Sequence, residues 1–423
     1  MHGVPWGILQ WFILFWVTMS SGLEERHSMV VWVTVFGLHP ELRQIYYKFR
    51  RSCNIIPKSL QFNPTFNFTP ITLLLKFSLH NFNMSRYASL YTNPQGPGDS
   101  RPTALQVVQD EQMQNQLIGK TAVITGVSSG IGIETARALA VTGIKLFLTA
   151  RNLDKAKEAL ADFWNPDQMD LVQLELSSLD SVRVAAKTIL SKTDELSIFI
   201  ANAGVMAVPE LTTTADGFEE QFATNHLSHF LLFELLKPSL LKASTEKFQS
   251  RVVVVSATAH RMQGIPASND YNYETSGASA YTPWEAYARS KTANTYMANE
   301  IERRYGYRGI HATSVAPGLV ASNIGRHIPQ EVMAGVIGDK MHEVQSLEQA
   351  AASTLVAAVG REWEGRGGVY ITNCSAAERG EDDGVSTSYT YVSHTYNPKD
   401  EQRLWNDSLK MVEKWNDYST EDI

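Results

Sequence analysis

The sequence predicts an α/β fold: a single doubly wound parallel sheet with helices on both faces. Three observations carry this. From Lys120 onward, short β-branched runs alternate with amphipathic stretches. The runs are apolar nearly throughout, as in strands covered on both faces, and do not alternate as half-solvated strands do. A glycine-rich turn joins the first run to the first amphipathic stretch. Right-handed crossovers then wind the sheet in both directions and put any ligand outside the carboxyl ends of its strands.

The elements follow in order. Thr121-Ala122-Val123-Ile124 is the first strand, and a helix pattern runs from Ile131 to Val141. Gly143 ends that helix, because a left-handed position after a helix favours glycine. Ile144–Thr149 is the second strand and Asp154–Phe163 the second helix. Strands continue at Leu171–Leu176, Ile198–Ala201, Val252–Val255 and Ile310–Val315, separated by helices at Leu179–Leu190, Gly217–Leu241 and Trp284–Tyr305. Val369–Thr372 closes the sheet, so the Rossmann-like domain spans residues 118–376. Residues 377–423 supply the acidic loop Glu378–Asp383 and a helix near Asp400–Trp415. Leu404, Trp405, Leu409, Val412 and Trp415 would dock that helix on the core.

Ahead of the domain, residues 84–117 read as a leader. Asn93–Asp99 is rich in turn residues, and Ala104–Gln116 fits a short helix lying on the domain. Residues 1–83 are rich in Trp, Phe and Asn, with no amphipathic repeat. Residues 3–23 hold no charge and a dense apolar run, long enough to be a membrane-anchor candidate. A secretory signal fits less well, since the positive segment and a small-residue cleavage site are missing. Three readings of residues 1–83 stay open: an anchor, an irregular extension, or a working start at Met84. Asn67-Phe68-Thr69 and Asn83-Met84-Ser85 match the glycosylation pattern, which matters only in the secretory lumen.

A composition 43% hydrophobic and 19% charged can supply a large core and excludes a disordered chain. A net charge of −7 leaves no basic footprint for nucleic acid. Cys53 and Cys374 cannot build a disulfide framework, and neither has a Cys or His at ligand spacing, so no metal is expected.

The turn after the first strand reads Thr125-Gly126-Val127-Ser128-Ser129-Gly130-Ile131-Gly132. Gly126 makes the turn, Gly130 lets the backbone approach a diphosphate, and Gly132 permits close helix–strand packing. The helix N-terminus then offers unpaired N–H groups and partial positive charge. At the end of the second strand a carboxylate would take a ribose 2′-hydroxyl. The sequence has Arg151 there, with Lys155 nearby, which suits a 2′-phosphate and so favours NADP(H) over NAD(H). Tyr287-Ala288-Arg289-Ser290-Lys291 falls within a predicted helix, where positions i and i+4 share a face. A neighbouring ammonium lowers the pKa of a phenol, which suits Tyr287 to proton transfer at a substrate oxygen.

These motifs in this order, with Asn202-Ala203-Gly204 after the fourth strand, Asn225 on the long helix, and Pro317-Gly318-Leu319-Val320-Ala321-Ser322 after the sixth strand, resemble the short-chain dehydrogenases/reductases. The glycine turn has that family's T-G-x-x-x-G-x-G spacing. The resemblance implies cofactor contacts from Gly126, Ser128, Ser129, Gly130, Ile131 and Gly132. It implies an adenosine-ribose wall from Asn202, Ala203 and Gly204, and Glu175 beside the adenine. Pro317, Gly318, Val320 and Ser322 would meet the nicotinamide carboxamide. Tyr287 would be the proton donor or acceptor, Lys291 would also hold the nicotinamide ribose, and Asn225 would serve structure and proton relay. Residues 323–345, a mobile-looking stretch, would be the substrate lid, with His327, Met333 and Met341 as lining candidates.

One member departs from the family pattern. In Val255-Ser256-Ala257-Thr258-Ala259-His260-Arg261 the usual substrate-binding serine falls on Ala257. Ser256, the adjacent hydroxyl, is kept as the catalytic candidate in its place, but strand neighbours point to opposite faces, and Thr258 shares the parity of Ser256 unless a turn re-aims it. Asn225-His226-Leu227-Ser228-His229-Phe230 and Ala150-Arg151-Asn152 look like the retinol-dehydrogenase-like and WW-domain-containing oxidoreductase branch. The leader from Met84 resembles fungal members of it. Trp6, Trp11, Trp16 and Trp32 lack the strand pattern of a WW module, so that module's partners are not carried over.

Two functions stay open: an oxidoreductase acting on a ketone or aldehyde and the matching alcohol, or an NADP(H)-binding protein with little turnover because of Ala257. The expected partner is a small carbonyl or alcohol substrate, and the resemblance leaves a homo-oligomer open. The expected location is cytoplasmic, or membrane-anchored with a cytosolic catalytic domain if residues 3–23 form an anchor.

Overall fold

A computed structural model describes residues 28–35, 71–78 and 86–413, in two compact units, residues 1–83 and 84–423. In the first unit, β1 (Ser28–Val35) pairs antiparallel with β2 (Ile71–Ser78), Ser28 opposite Ser78 and Val35 opposite Ile71. No periodicity in the sequence pointed to that pairing. Residues 3–23, Cys53, both glycosylation patterns, Met84 and Trp415 lie outside the described residues. Among the described residues, no helix is long and apolar enough to cross a membrane.

The second unit holds the expected sheet. Its strands are β3 (Thr121–Thr125), β4 (Lys145–Ala150), β5 (Met169–Gln173), β6 (Ile198–Ala201), β7 (Ser250–Val255), β8 (Ile310–Ala316), β9 (Val369–Thr372) and β10 (Ser375–Ala376), in spatial order β10-β9-β8-β7-β6-β3-β4-β5. All pair parallel except β10, which turns back on β9. Winding runs one way from β3 through β5 and the other way from β6 through β9. The crevice between β3 and β6 is therefore the topological switch point where such sheets bind ligands.

Every residue of β3, β6, β7 and β8 is buried, as the continuous apolar runs require. Neighbours in a strand serve opposite cores. Val123, Phe147, Phe199 and Val252 pack with α4 (Leu179–Leu190), α5 (Ser228–Ala243) and α6 (Pro283–Tyr305). Ala122, Ile124, Leu146, Ile198 and Val253 pack with α2 (Ile131–Ala140) and α8 (Ala352–Val359). Between them in sequence lie α3 (Leu153–Leu160) and α7 (Gln330–Ile337). Gly143 stands at φ +78°, the left-handed stop expected after α2.

Three expectations change. The long helix expected over Gly217–Leu241 is split: a single turn Glu220–Phe222, a π-helical turn Ala223–Leu227, then α5 with Pro238 inside it. A π-turn leaves no hydrophobic-periodicity signal over five residues, and such turns concentrate at functional sites. Second, the leader is part of the core. Helix α1 (Ala104–Asp110) is capped by Thr103 Oγ1 and buries Ala104, Val107 and Val108 with the second core, while the stretch to Gln116 is turns. Third, residues 323–345 are structured: a 3-10 turn Asn323–Gly325, helix α7, and a 3-10 turn Lys340–Glu343.

The C-terminal helix α9 (Pro398–Glu413) docks as its apolar stripe predicts. Trp405 sits edge-on to Phe230 at 4.8 Å and is buried with Leu404 and Val412. The central strands carry most of the apolar load. Phe147→Ala, which empties a fully buried ring position in β4, should destabilise the protein by about 3–5 kcal/mol, read as a lower urea midpoint at unchanged m-value.

Candidate active site

The glycine turn nests against the end of β6. Gly126 has φ +77°, and a Cβ there would lie 2.8 Å from the Ala203 side chain; a Cβ on Gly132 would collide with the Gly126 carbonyl and the Asn202 amide. Asn202 donates from its side chain to the Thr125 and Gly126 carbonyls at 2.8 and 3.2 Å. The backbone N–H groups of Asn202 and Ala203 both donate to Thr125 Oγ1. Asn202 and Ala203 thus buttress the turn from behind.

The N–H groups of Val127 and Gly126 are taken by the Thr149 carbonyl. Those of Ser128, Ser129 and Gly130 have no partner among the described residues, and neither do the two serine hydroxyls. Gly130, at φ +71°, faces Ser322, whose Cβ would be 3.5 Å from an added Cβ. Unpaired N–H groups at the N-terminus of α2, opposite a loop held a few ångströms away, fit a bound diphosphate. Ser322, at the end of the Pro317–Ser322 stretch, is thereby brought to the turn, and Ile131 opens α2 beside it.

At the end of β4, the Arg151 guanidinium is 76% exposed and lies 3.5 Å from a Glu175 carboxylate oxygen. Glu175 also accepts the N–H of Ser177 at 3.2 Å. The two residues expected on either side of an adenosine therefore face each other. Asn152 caps α3, accepting from the N–H of Lys155 in the first turn of that helix.

Helix α6 carries the reaction centre. Thr282 Oγ1 caps its start by accepting the Glu285 N–H, with Pro283 in the first turn. Tyr287 and Lys291 are buried, and Lys291 Nζ lies 5.6 Å from the centre of the Tyr287 ring. Lys291 donates to the Val255 carbonyl at 3.0 Å, which leaves two of its N–H groups uncommitted. The Tyr287 hydroxyl has no partner among the described residues. Burial pushes the phenol well above its usual range and the ammonium down to about 7, with no carboxylate contributing to either shift.

Asn225 stands in the π-helical turn, fully buried. Its Oδ1 accepts the Val205 N–H, and its Nδ2 donates to the Val205 carbonyl and to Ser290 Oγ. A Cβ on Gly204 would lie 2.9 Å from Asn225 Oδ1 and 3.5 Å from Lys291 Nζ. Asn225 therefore ties the loop after β6 to α6 between Tyr287 and Lys291. Ser290 had no sequence signal beyond its place inside the Tyr-x-x-x-Lys segment.

Ser256, carried forward as the nearest substitute hydroxyl, is not at the reaction centre. It donates to the Lys291 carbonyl at 2.7 Å and accepts from Thr295, buried beneath α6. Strand parity decides this: β7 turns Ser256 toward α6. Ala257 stays extended, and a 3-10 turn begins at Thr258, whose hydroxyl makes no hydrogen bond among the described residues. The turn that could re-aim Thr258 is therefore present.

Of the lid candidates, Met341 is 62% exposed, His327 is exposed, and Met333 packs against Gly325. The C-terminal end of residues 323–345 is tied down at Gln345 and by Arg101. Gln345 donates from its backbone to the Leu319 carbonyl and from its side chain to that of Pro317. The buried Arg101 guanidinium donates to the Glu343 and Val344 carbonyls, both at 2.7 Å. Neither residue left a mark in the sequence, because both act through backbone carbonyls.

The lysine gives a test. Its folded value of about 7 lies below the 10.5 of an unperturbed lysine. Between the two, the unfolded chain holds the extra proton, so this group makes stability rise with pH across that window. The unfolding free energy of wild type minus that of Lys291→Met should increase from about pH 7 to about pH 9, by on the order of 2 kcal/mol. A pH-independent difference in urea titrations would show that Lys291 is charged in the folded protein throughout.

The comparisons with known proteins agree with this architecture. A family model described as short chain dehydrogenase matches residues 120–272. The short-chain dehydrogenase/reductase prx1 of Penicillium roqueforti is 43% identical over 337 residues, covering 79% of this chain and 97% of its own. The oxidoreductase calI of Penicillium decumbens is 39% identical, covering 78% and 98%. The human WW domain-containing oxidoreductase is 34% identical over 65% of this chain and 66% of its own. A crystal structure from Mycobacterium paratuberculosis superposes with TM-score 0.53 at 28% identity, covering 70% of this chain and 94% of its own. The chain belongs to the short-chain dehydrogenase/reductase family, and it is an oxidoreductase built on that family's nicotinamide-binding domain.

Proposed function

We propose that this oxidoreductase uses NADP(H) to interconvert a ketone or aldehyde and the matching alcohol, with Tyr287 giving or taking the proton at the substrate oxygen. The observation that carries the reading is the pair on α6: an unbonded, buried phenol one turn from a buried ammonium that has N–H groups to spare. When bound, the cofactor supplies or accepts the hydride. Lys291, when protonated, favours the phenolate and so brings Tyr287 toward working pH. Arg151 supports the phosphorylated cofactor: it is exposed at the β4 end, with no carboxylate on that strand end to receive a 2′-hydroxyl. Ser128, Ser129 and Gly130 would hold the diphosphate through their unpaired N–H groups. The location in this reading is cytoplasmic, or membrane-anchored with a cytosolic catalytic domain if residues 3–23 form an anchor, and a homo-oligomer stays open. So does the division into an extension (1–83), a leader (84–117), a catalytic domain (118–376) and a C-terminal segment (377–423).

A second reading has a specific observation behind it. Ala257 offers no hydroxyl and Ser256 is committed beneath α6. Losing one such donor costs roughly 10²–10³ in rate, which would leave an NADP(H)-binding protein with little turnover. Thr258 is the uncommitted hydroxyl next along the chain and a candidate to restore the donor.

Single-turnover NADPH oxidation against a mixed ketone and aldehyde library separates the readings. Wild type should turn over and Tyr287→Phe should lose at least about 10²-fold. Turnover by Ala257→Ser alone, with NADPH binding intact in wild type, would establish the second reading. Thr258→Val should slow wild type if that hydroxyl has taken over. Arg151→Ala should weaken NADPH binding by roughly tenfold or more and leave NADH binding near its wild-type value, measured by quenching of protein fluorescence. An equal loss for both cofactors would argue against a 2′-phosphate contact.

A further inference from the structure

A histidine that the chemistry above does not use joins the two halves of this site. His229 is fully buried on the first turn of α5. Its Nε2 lies 2.8 Å from Thr125 Oγ1 and its Nδ1 lies 2.9 Å from the Asn225 carbonyl oxygen. Counting donors fixes the direction of both bonds. A hydroxyl has one proton and two acceptor positions. Thr125 Oγ1 already accepts the N–H groups of Asn202 and Ala203 at 2.9 and 3.0 Å. Its proton must therefore go to His229 Nε2. That nitrogen is then the bare one, so Nδ1 carries the ring proton and donates it to the Asn225 carbonyl.

The ring is held neutral as well as oriented. Burial lowers its pKa to about 4, and Lys291, facing it from α6, opposes a second positive charge. His226, in the preceding turn, is itself buried and depressed to about 3. Both nitrogens thus have one assigned role each, and a charged ring would point an N–H at the Thr125 proton.

We propose that His229 is a positioning residue: one neutral imidazole, in the Nδ1–H form, that locks the cofactor turn to the helix bearing Tyr287 and Lys291. The link runs in two steps. Thr125 holds the backbone of Asn202 and Ala203, behind the glycine turn. Asn225 holds Val205 and, through Ser290, helix α6. His229 is the side chain that bridges the two sets, so the floor under the diphosphate and the proton-transfer pair keep a fixed spacing. The functional part of this inference rests on the reading of Tyr287 and Lys291 given above; the tautomer does not.

The test uses the full chain labelled with [15N]histidine, with His229→Gln to assign the signal. Long-range 1H–15N correlation spectra should show His229 as the neutral Nδ1–H tautomer from about pH 5.5 to about pH 8.5, with and without NADPH. An Nε2–H tautomer, or protonation within that range, overturns the proposal. A second measurement addresses coupling. His229→Phe should weaken NADPH binding by roughly tenfold or more. Adding Thr125→Val to it should cost far less than Thr125→Val costs alone. Folded His229→Phe protein binding NADPH within about twofold of wild type, or full additivity of the two changes, overturns it too. If wild type itself binds no NADPH, the functional reading fails, while the histidine spectrum, which needs no cofactor, still decides the tautomer. If His229→Phe does not fold, the spectrum of wild type decides alone.

Discussion

The turn after β3 can lie against the end of β6 only because Gly126 and Gly132 carry no side chain, and much else in the molecule follows from that approach. With the two backbones this close, the Asn202 amide reaches the Thr125 and Gly126 carbonyls, and the Thr125 hydroxyl gathers the next two N–H groups. The carbonyls and N–H groups of the crevice are thus satisfied from behind. The N–H groups left over at Ser128, Ser129 and Gly130 all belong to the stretch that opens α2. These three residues are half-buried, and their unpaired donors are gathered where an anion could take them.

The same economy shapes the reaction centre. Tyr287 and Lys291 are buried without a carboxylate beside them, so each resists its charged form. Added negative charge nearby would restore the ammonium, and it is the restored ammonium, against the added charge, that would ease ionisation of the phenol. Asn225 is spent on structure through its side chain, with three hydrogen bonds that close the loop after β6 onto α6. Ala257 carries no hydroxyl where the family pattern has a serine, and Ser256 beside it is committed beneath α6.

Around the site, the framework reaches further along the chain than the strand–helix rhythm suggests. Arg101 spends its guanidinium on carbonyls at the foot of the lid and on Asp99 and Gly96 within its own turn. Tyr389, from the C-terminal segment, approaches Gly318 on the other side of the lid's base. Segments before and after the sheet thus reach the loops that follow β8. Arg261, within the 3-10 turn after β7, holds the acidic loop, donating to the Glu381 carbonyl and pairing with Asp383.

The parallel strands of the sheet, their winding and the helices up to α6 were legible in the sequence, because strands covered on both faces must be apolar at every position and glycine is required where backbones meet; α7, α8 and the returning strand β10 were not. Tyr287 and Lys291 were legible too, since a spacing of four on a helix fixes a shared face whatever surrounds it. What tertiary structure alone decided is the set of partners. Strand parity predicted that Ser256 would not replace a side chain at Ala257, but only the packing of α6 over β7 showed what holds it. The π-turn at Asn225, the pairing of Arg151 with Glu175, and the reach of Arg101 and Gln345 to distant carbonyls carry no local pattern. Such contacts join residues far apart in the chain, and many end on backbone atoms that every residue shares. Side-chain chemistry read along a sequence names the groups able to react; the folded backbone decides which of them remain free to do so.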